Sequence, residues 1–227
     1  MFAKVVSTEG ETLTDCPWLQ AEVLHYQALF LLSAEHCSDE DKTIARSMFE
    51  KALDLISGSD DIENLAARSR VLTSLAIQFG ETEDVKSALE EAISLKERFN
   101  DKPGLARSMG ALARSLYFKG EAKQALPEIV RWLTLNKELG DRFGEAMAEN
   151  FQGNAYVALY KKTPDDENLY KEALAAFARA VSLATPEADM GTKIQAALAL
   201  AEQMQLMQYR KDESGYRQTA TEQAQLL

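Results

Sequence analysis

Apolar residues return along most of this chain at spacings of three and four, the period of a helix with one buried face. Ala45, Phe49, Ala52 and Leu55 form one such row. Val85, Leu89, Ala92 and Leu95 repeat it forty residues later, and Ala125, Ile129, Trp132 and Leu135 forty later again. A fourth row, Ala173, Phe177, Ala180 and Leu183, follows after forty-eight, because about eight residues around Lys161 to Asn168 are inserted. Small residues in these rows admit a neighbouring helix closely, and the large ones fill the gap beside it. Alternation with period two is almost absent; only Lys4-Val5-Val6 could extend.

The start and stop signals divide this pattern into ten helices. The first runs from Trp18 to about His36, after Asp15 and Pro17. Ser38-Asp39-Glu40-Asp41 resembles a capping box for a second helix, which runs to about Ser57 and is ended by Gly58. Further helices are expected over Ile62 to Phe79, Thr82 to Phe99, Leu105 to Lys119, Glu121 to Leu139 and Gly144 to Tyr160. Pro127 should kink the sixth or push its start later. Thr163-Pro164 and Thr185-Pro186 each offer a capping hydroxyl followed by proline, which starts an eighth helix ending at Ala184 and a ninth ending near Gln208. A polar tenth covers about Ser214 to Leu226. The organisation expected is a loose arm over residues 1–15, a continuous helical array over 16–208, and a capping helix over 209–227.

Landmarks outside the helices keep the same period. Gly80-Glu81 recurs as Gly120-Glu121, and Asn100-Asp101-Lys102-Pro103-Gly104 as Gly140-Asp141-Arg142-Phe143-Gly144. A fixed period of this length is the mark of a solenoid of helix pairs. In its details the chain resembles the tetratricopeptide repeats, in the longer forty-residue variety found in kinesin light chains and bacterial peptide-sensing regulators. Ala45-Phe49-Ala52 and Ala173-Phe177-Ala180 match the family's second helix, Gly153 and Tyr156 its first, and the Asp-x-x-Gly turns at Asp101 and Asp141 its connections. The resemblance spans about Trp18 to Gln208. It implies an all-α, right-handed α-solenoid of antiparallel helix pairs, about four pairs plus C-terminal capping helices.

Composition narrows the function. The 227 residues carry a net charge of −11, which argues against nucleic acid and anionic lipid as partners. No apolar run approaches the roughly 18 residues that span a bilayer, and the first fifteen residues do not read as a secretory signal. Cys16 and Cys37, about 30 Å apart along a helix, fit a reducing compartment, so a cytoplasmic location is expected. His25 and His36 are the only histidines; about 16 Å apart along one helix, they cannot share a metal, and both are expected at the edge of packing. Glu22-x-x-His25 matches half of a di-iron motif without its second half. No phosphate loop or nucleophile elbow is present, so no enzyme activity, cofactor or metal is expected.

The charge is unevenly placed. The first helices of the second and third pairs hold Arg68, Arg70, Arg107, Arg114 and Lys119 against Glu63 alone. The resemblance implies that a peptide or extended protein segment lies along the concave wall formed by first helices. Taken in register, Arg70, Ser74, Arg107, Arg114, Tyr117, Asn150 and Asn154 would face it. Arginine grips carboxylates in fork geometry and asparagine pairs with peptide backbone, so an acidic or carboxylate-bearing partner is expected. The competing reading is that these arginines pair with acids of neighbouring helices or stay solvated. A self-assembling structural protein, possible as a homodimer, and a peptide or small-molecule sensor acting through another chain are the alternatives.

Overall fold

A computed structural model describes residues 16–79, 84–212, 215 and 217–221. These residues are all-helical, without a strand. The helices are α1 (Pro17–Leu32), α2 (Asp39–Leu55), α3 (Ile62–Phe79), α4 (Asp84–Phe99), α5 (Lys102–Phe118), α6 (Ala122–Leu139), α7 (Arg142–Tyr160), α8 (Glu167–Ser182) and α9 (Met190–Arg210). Residues 217–221 are helical as well. Consecutive helices pack on one another, as in α1 with α2, α3 with α4, α6 with α7 and α7 with α8. Short turns between them reverse the chain, which is how stacked helix pairs build an α-solenoid. Two compact units result, Met1–Ala111 and Leu112–Leu227.

The repeated rows are the cores of these pairs. Their first three residues are buried in all four, from Ala45, Phe49 and Ala52 through to Ala173, Phe177 and Ala180. Burying an aromatic or leucine side chain stabilises by roughly 1.5–3 kcal/mol, so Phe49, Leu89, Ile129 and Phe177 are the main anchors. In the second unit Gly153 lets α7 come close to α8. A Cβ on it would sit 2.5 Å from the Phe177 ring, so even alanine would force the buried ring or the helices to shift.

Helix starts follow a carboxylate device. Asp101 Oδ1 accepts the Gly104 amide at 3.0 Å, and Asp141 Oδ1 the Gly144 amide at 2.9 Å. In both, a Cβ on the glycine would strike the aspartate side chain, which is why Asp-x-x-Gly travels as a unit. Asp212 and Gly215 make the same bond at 3.0 Å. The capping box at α2 forms as expected, with Ser38 Oγ accepting the Asp41 amide and Asp41 accepting the Ser38 amide.

Several boundaries differ from the sequence reading. The first helix stops at Leu32 and α2 at Leu55, ahead of Gly58, while α5 begins earlier, at Lys102. Pro127 does not delay α6, which runs unbroken from Ala122 around it. Thr163-Pro164 does not start α8, nor Thr185-Pro186 α9. The caps are Asp166, which accepts the Asn168 and Leu169 amides, and Asp189, which accepts the Thr192 amide. A carboxylate is the stronger acceptor for orphan amides, so the chain turns at the aspartates. Thr163 instead donates its hydroxyl back to the Leu159 carbonyl. The N-terminal arm, the Gly80-Glu81 landmark, the proposed start at Thr82, and residues 213–214, 216 and 222–227 of the C-terminal capping helix lie outside the described residues. Among the described residues, no helix is long and apolar enough to cross a membrane.

Candidate functional site

In the first unit, α3 carries a polar flank made of Ser69, Arg70, Thr73 and Ser74, residues that spacings of one, three and one place on neighbouring strips of the helix. Arg70 and Ser74 meet α1. The Arg70 Nε donates to Glu22 Oε1 at 2.6 Å, and a second guanidinium nitrogen contacts the same oxygen. Ser74 Oγ lies 2.9 Å from His25 Nε2. The other ring nitrogen, Nδ1, is 3.6 Å from Glu22 Oε2, too long for a hydrogen bond, and it has no hydrogen-bond partner. Burial alone would raise the Glu22 carboxyl, but His25 and Arg70 outweigh it and hold it below the ordinary value.

His25 is thus buried inside the unit rather than at the edge of packing, whereas His36 is exposed. Ser74, His25 and Glu22 follow the order of a hydrolytic relay. Such a relay also needs amides aimed at an oxyanion, and Ser74 lies inside α3, where amides serve the helix ladder. Among the described residues, no group of three or more His, Cys, Asp or Glu side chains could hold a metal ion.

The other strip of α3 meets Lys96 of α4. Lys96 is 2% exposed. Its Nζ donates to the Ser69 carbonyl at 3.2 Å, to Thr73 Oγ1 at 2.6 Å and to Ser108 Oγ of α5 at 2.7 Å. All three ammonium protons therefore go to neutral oxygens. Among the described residues no carboxylate lies within ion-pair distance of Lys96. Burial pulls its pKa down to about 8; Asp101 opposes this at longer range, while Arg107 and Arg70 add to it.

Beside Lys96 a pocket of about 190 Å³ opens, lined among others by His25, Tyr26, Arg70, Ser74, Asp101 and Arg107. A wider hollow of about 390 Å³ shares Arg70 and Asp101 with it and adds Trp18, Ile62 and Phe99. Sequence reasoning placed Arg70, Ser74 and Arg107 on the candidate face, set Glu22-x-x-His25 aside as half of a metal motif, and missed Lys96. The available signal was register: forty residues before Lys96 stands Ile56 and forty after it Asn136, both buried.

In the second unit Arg114 lies exposed, its guanidinium carbon 5.8 Å from the centre of the Phe151 ring. Tyr117 is half-buried and meets Phe151 edge-on at 5.6 Å and Phe118 at 5.4 Å. Burial raises its phenol, helped by the charge of Glu202. Asn150 is buried and donates Nδ2 to the Gln195 carbonyl and side-chain oxygens at 2.7 and 3.0 Å, tying α7 to α9; Asn154 is half-buried. Behind them the buried Glu149 is held by Arg179 at 2.9 Å and Lys137 at 3.4 Å.

Among the clustered bases, Arg68 pairs with Glu91 and Arg70 with Glu22. Arg107 and Arg114 have no carboxylate within ion-pair distance among the described residues. No known family model matches the chain, and a search of curated proteins gives no match.

Proposed function

We propose that the chain is a scaffold of the tetratricopeptide-repeat kind, which grips an extended acidic segment of a partner protein on its first helices. The observation that carries this reading is the unequal fate of the arginines. Arg68 and Arg70 are neutralised by carboxylates, while Arg107 and Arg114 are exposed with none within ion-pair distance among the described residues. A guanidinium left so in a chain of charge −11 is available to a carboxylate from outside. The Phe151 ring lies beside the Arg114 guanidinium, which favours one pose of the fork, so less side-chain freedom is lost on binding. Asn150 enters this reading as a brace between α7 and α9 rather than a free contact, and Asn154 as the amide nearer to solvent.

The test is capture on an immobilised library of acidic peptides. Wild type should bind in a salt-sensitive way, and the pair Arg107→Glu and Arg114→Glu should abolish binding with the helical circular dichroism unchanged. Undiminished capture by the reversed variant would refute the reading.

A further inference from the structure

The pocket beside Lys96 has a chemistry of its own, which stands on Lys96 whether or not an extended peptide also uses Arg107. We infer that it is a binding site for a small carboxylic acid, one carboxylate carrying a short apolar tail. Charge comes first. Lys96, Arg70 and Arg107 face the carboxylates of Glu22 and Asp101, which leaves one positive charge over. Glu22 belongs to Arg70, and Asp101 caps α5 by accepting the Gly104 amide. The excess therefore sits on Lys96 and Arg107, neither of which has a carboxylate within ion-pair distance among the described residues. A single carboxylate completes the balance, whereas a phosphate dianion would overshoot it beside Asp101.

Size and lining agree with that choice. About 190 Å³ is well below the ~300 Å³ where drug-sized sites begin. Tyr26 and Leu29 supply an apolar wall for a short tail. The cation is also free to turn. Thr73 Oγ1 and Ser108 Oγ lie 2.8 Å apart, so if the ammonium leaves one of them for a ligand oxygen, the two hydroxyls still satisfy each other. Arg107 then provides the second grip, with its fork on the same carboxylate.

The site should weaken as pH rises through about 8, where Lys96 loses its charge. The other titratable and charged groups lining it are His25 and Tyr26 from α1, Arg70 from α3, and Asp101 and Arg107 at α5.

Calorimetric titration of the full chain with butyrate, with neutral butyramide and with inorganic phosphate tests the inference. Butyrate should saturate one site at about pH 7, bind about tenfold or more weakly at about pH 9.5, and lose a similar factor in Arg107→Gln, an exposed substitution that spares the fold. Lys96→Met should abolish the site, and butyramide should not bind. A parallel arm compares a short peptide with a free C-terminal carboxylate against its C-terminal amide. Preference for butyrate marks a free acid as the ligand; preference for the free-carboxylate peptide marks a chain terminus, with the same carboxylate chemistry. Equal binding of acid and amide, preference for phosphate, no saturable binding at millimolar concentration, or wild-type affinity in Arg107→Gln would each overturn it.

Discussion

Lys96 and Asn136 occupy the same step of successive repeats, one in each compact unit, and both are buried. Ile56 fills that step one repeat earlier and is just as buried. Around Lys96, Thr73 and Ser108 supply hydroxyls and Ser69 a carbonyl. Forty residues on, the positions of Thr73 and Ser108 hold Ala113 and Ala148. Asn136 correspondingly leaves its amide nitrogen without a hydrogen-bond partner, and its side chain lies where a Cβ on Gly144 would come within 2.7 Å. Register decides that this side chain is buried. The oxygens on the adjoining first helices decide how much charge the burial can hold.

The contrast is broken most severely by carrying the lysine across. Asn136→Lys places an ammonium where the hydroxyls have become methyl groups, and it should cost about 3–5 kcal/mol in urea unfolding at neutral pH. A cost below about 1 kcal/mol would show that the hydroxyls are not what holds the Lys96 charge.

The reverse change, Lys96→Met, should stabilise the protein by about 2 kcal/mol at pH 7, because the buried charge is removed while Thr73 and Ser108 keep each other. The pH dependence has a definite sign. The folded pKa of Lys96, about 8, lies below the unfolded value of 10.5. The penalty for the charged amine is full below pH 8 and fades as pH climbs through 10.5, above which both states are neutral. The advantage of the methionine variant should shrink over that window; an advantage that stays constant with pH would remove the explanation. Smaller again is Ser108→Ala, which withdraws one acceptor. It should lower stability by about 1 kcal/mol at pH 7 and push the Lys96 pKa further down, as read by titration of the Nζ resonance.

Much of the fold was legible because it is written in spacing. Rows such as Ala45-Phe49-Ala52 need only the helical period to be recognised, and α3 runs from Ile62 to Phe79 as the pattern says. Boundaries set by competing caps were harder. Thr163 and Thr185 look like starts until one asks which oxygen attracts amides best, and Asp166 and Asp189 stand a few residues further on. The candidate site was half legible. Arg70 and Ser74 follow from the face of α3, but Glu22 and His25 come from forty-eight and forty-nine residues earlier, through α1 packing on α3. Lys96 hides because a lysine in an amphipathic helix is ordinarily solvated, and only comparison with Ile56 and Asn136 exposes its place as an interior one.

The pairing of a capping aspartate with a glycine three residues later has a bearing on how such chains grow. Acceptor, donor and the missing methyl that makes room for them all lie within four consecutive residues. A segment duplicated in tandem thus inherits its own initiation signal, with no need for new substitutions at the junction. Transplanting Asp141 through Tyr160 behind another hairpin would carry that instruction along intact.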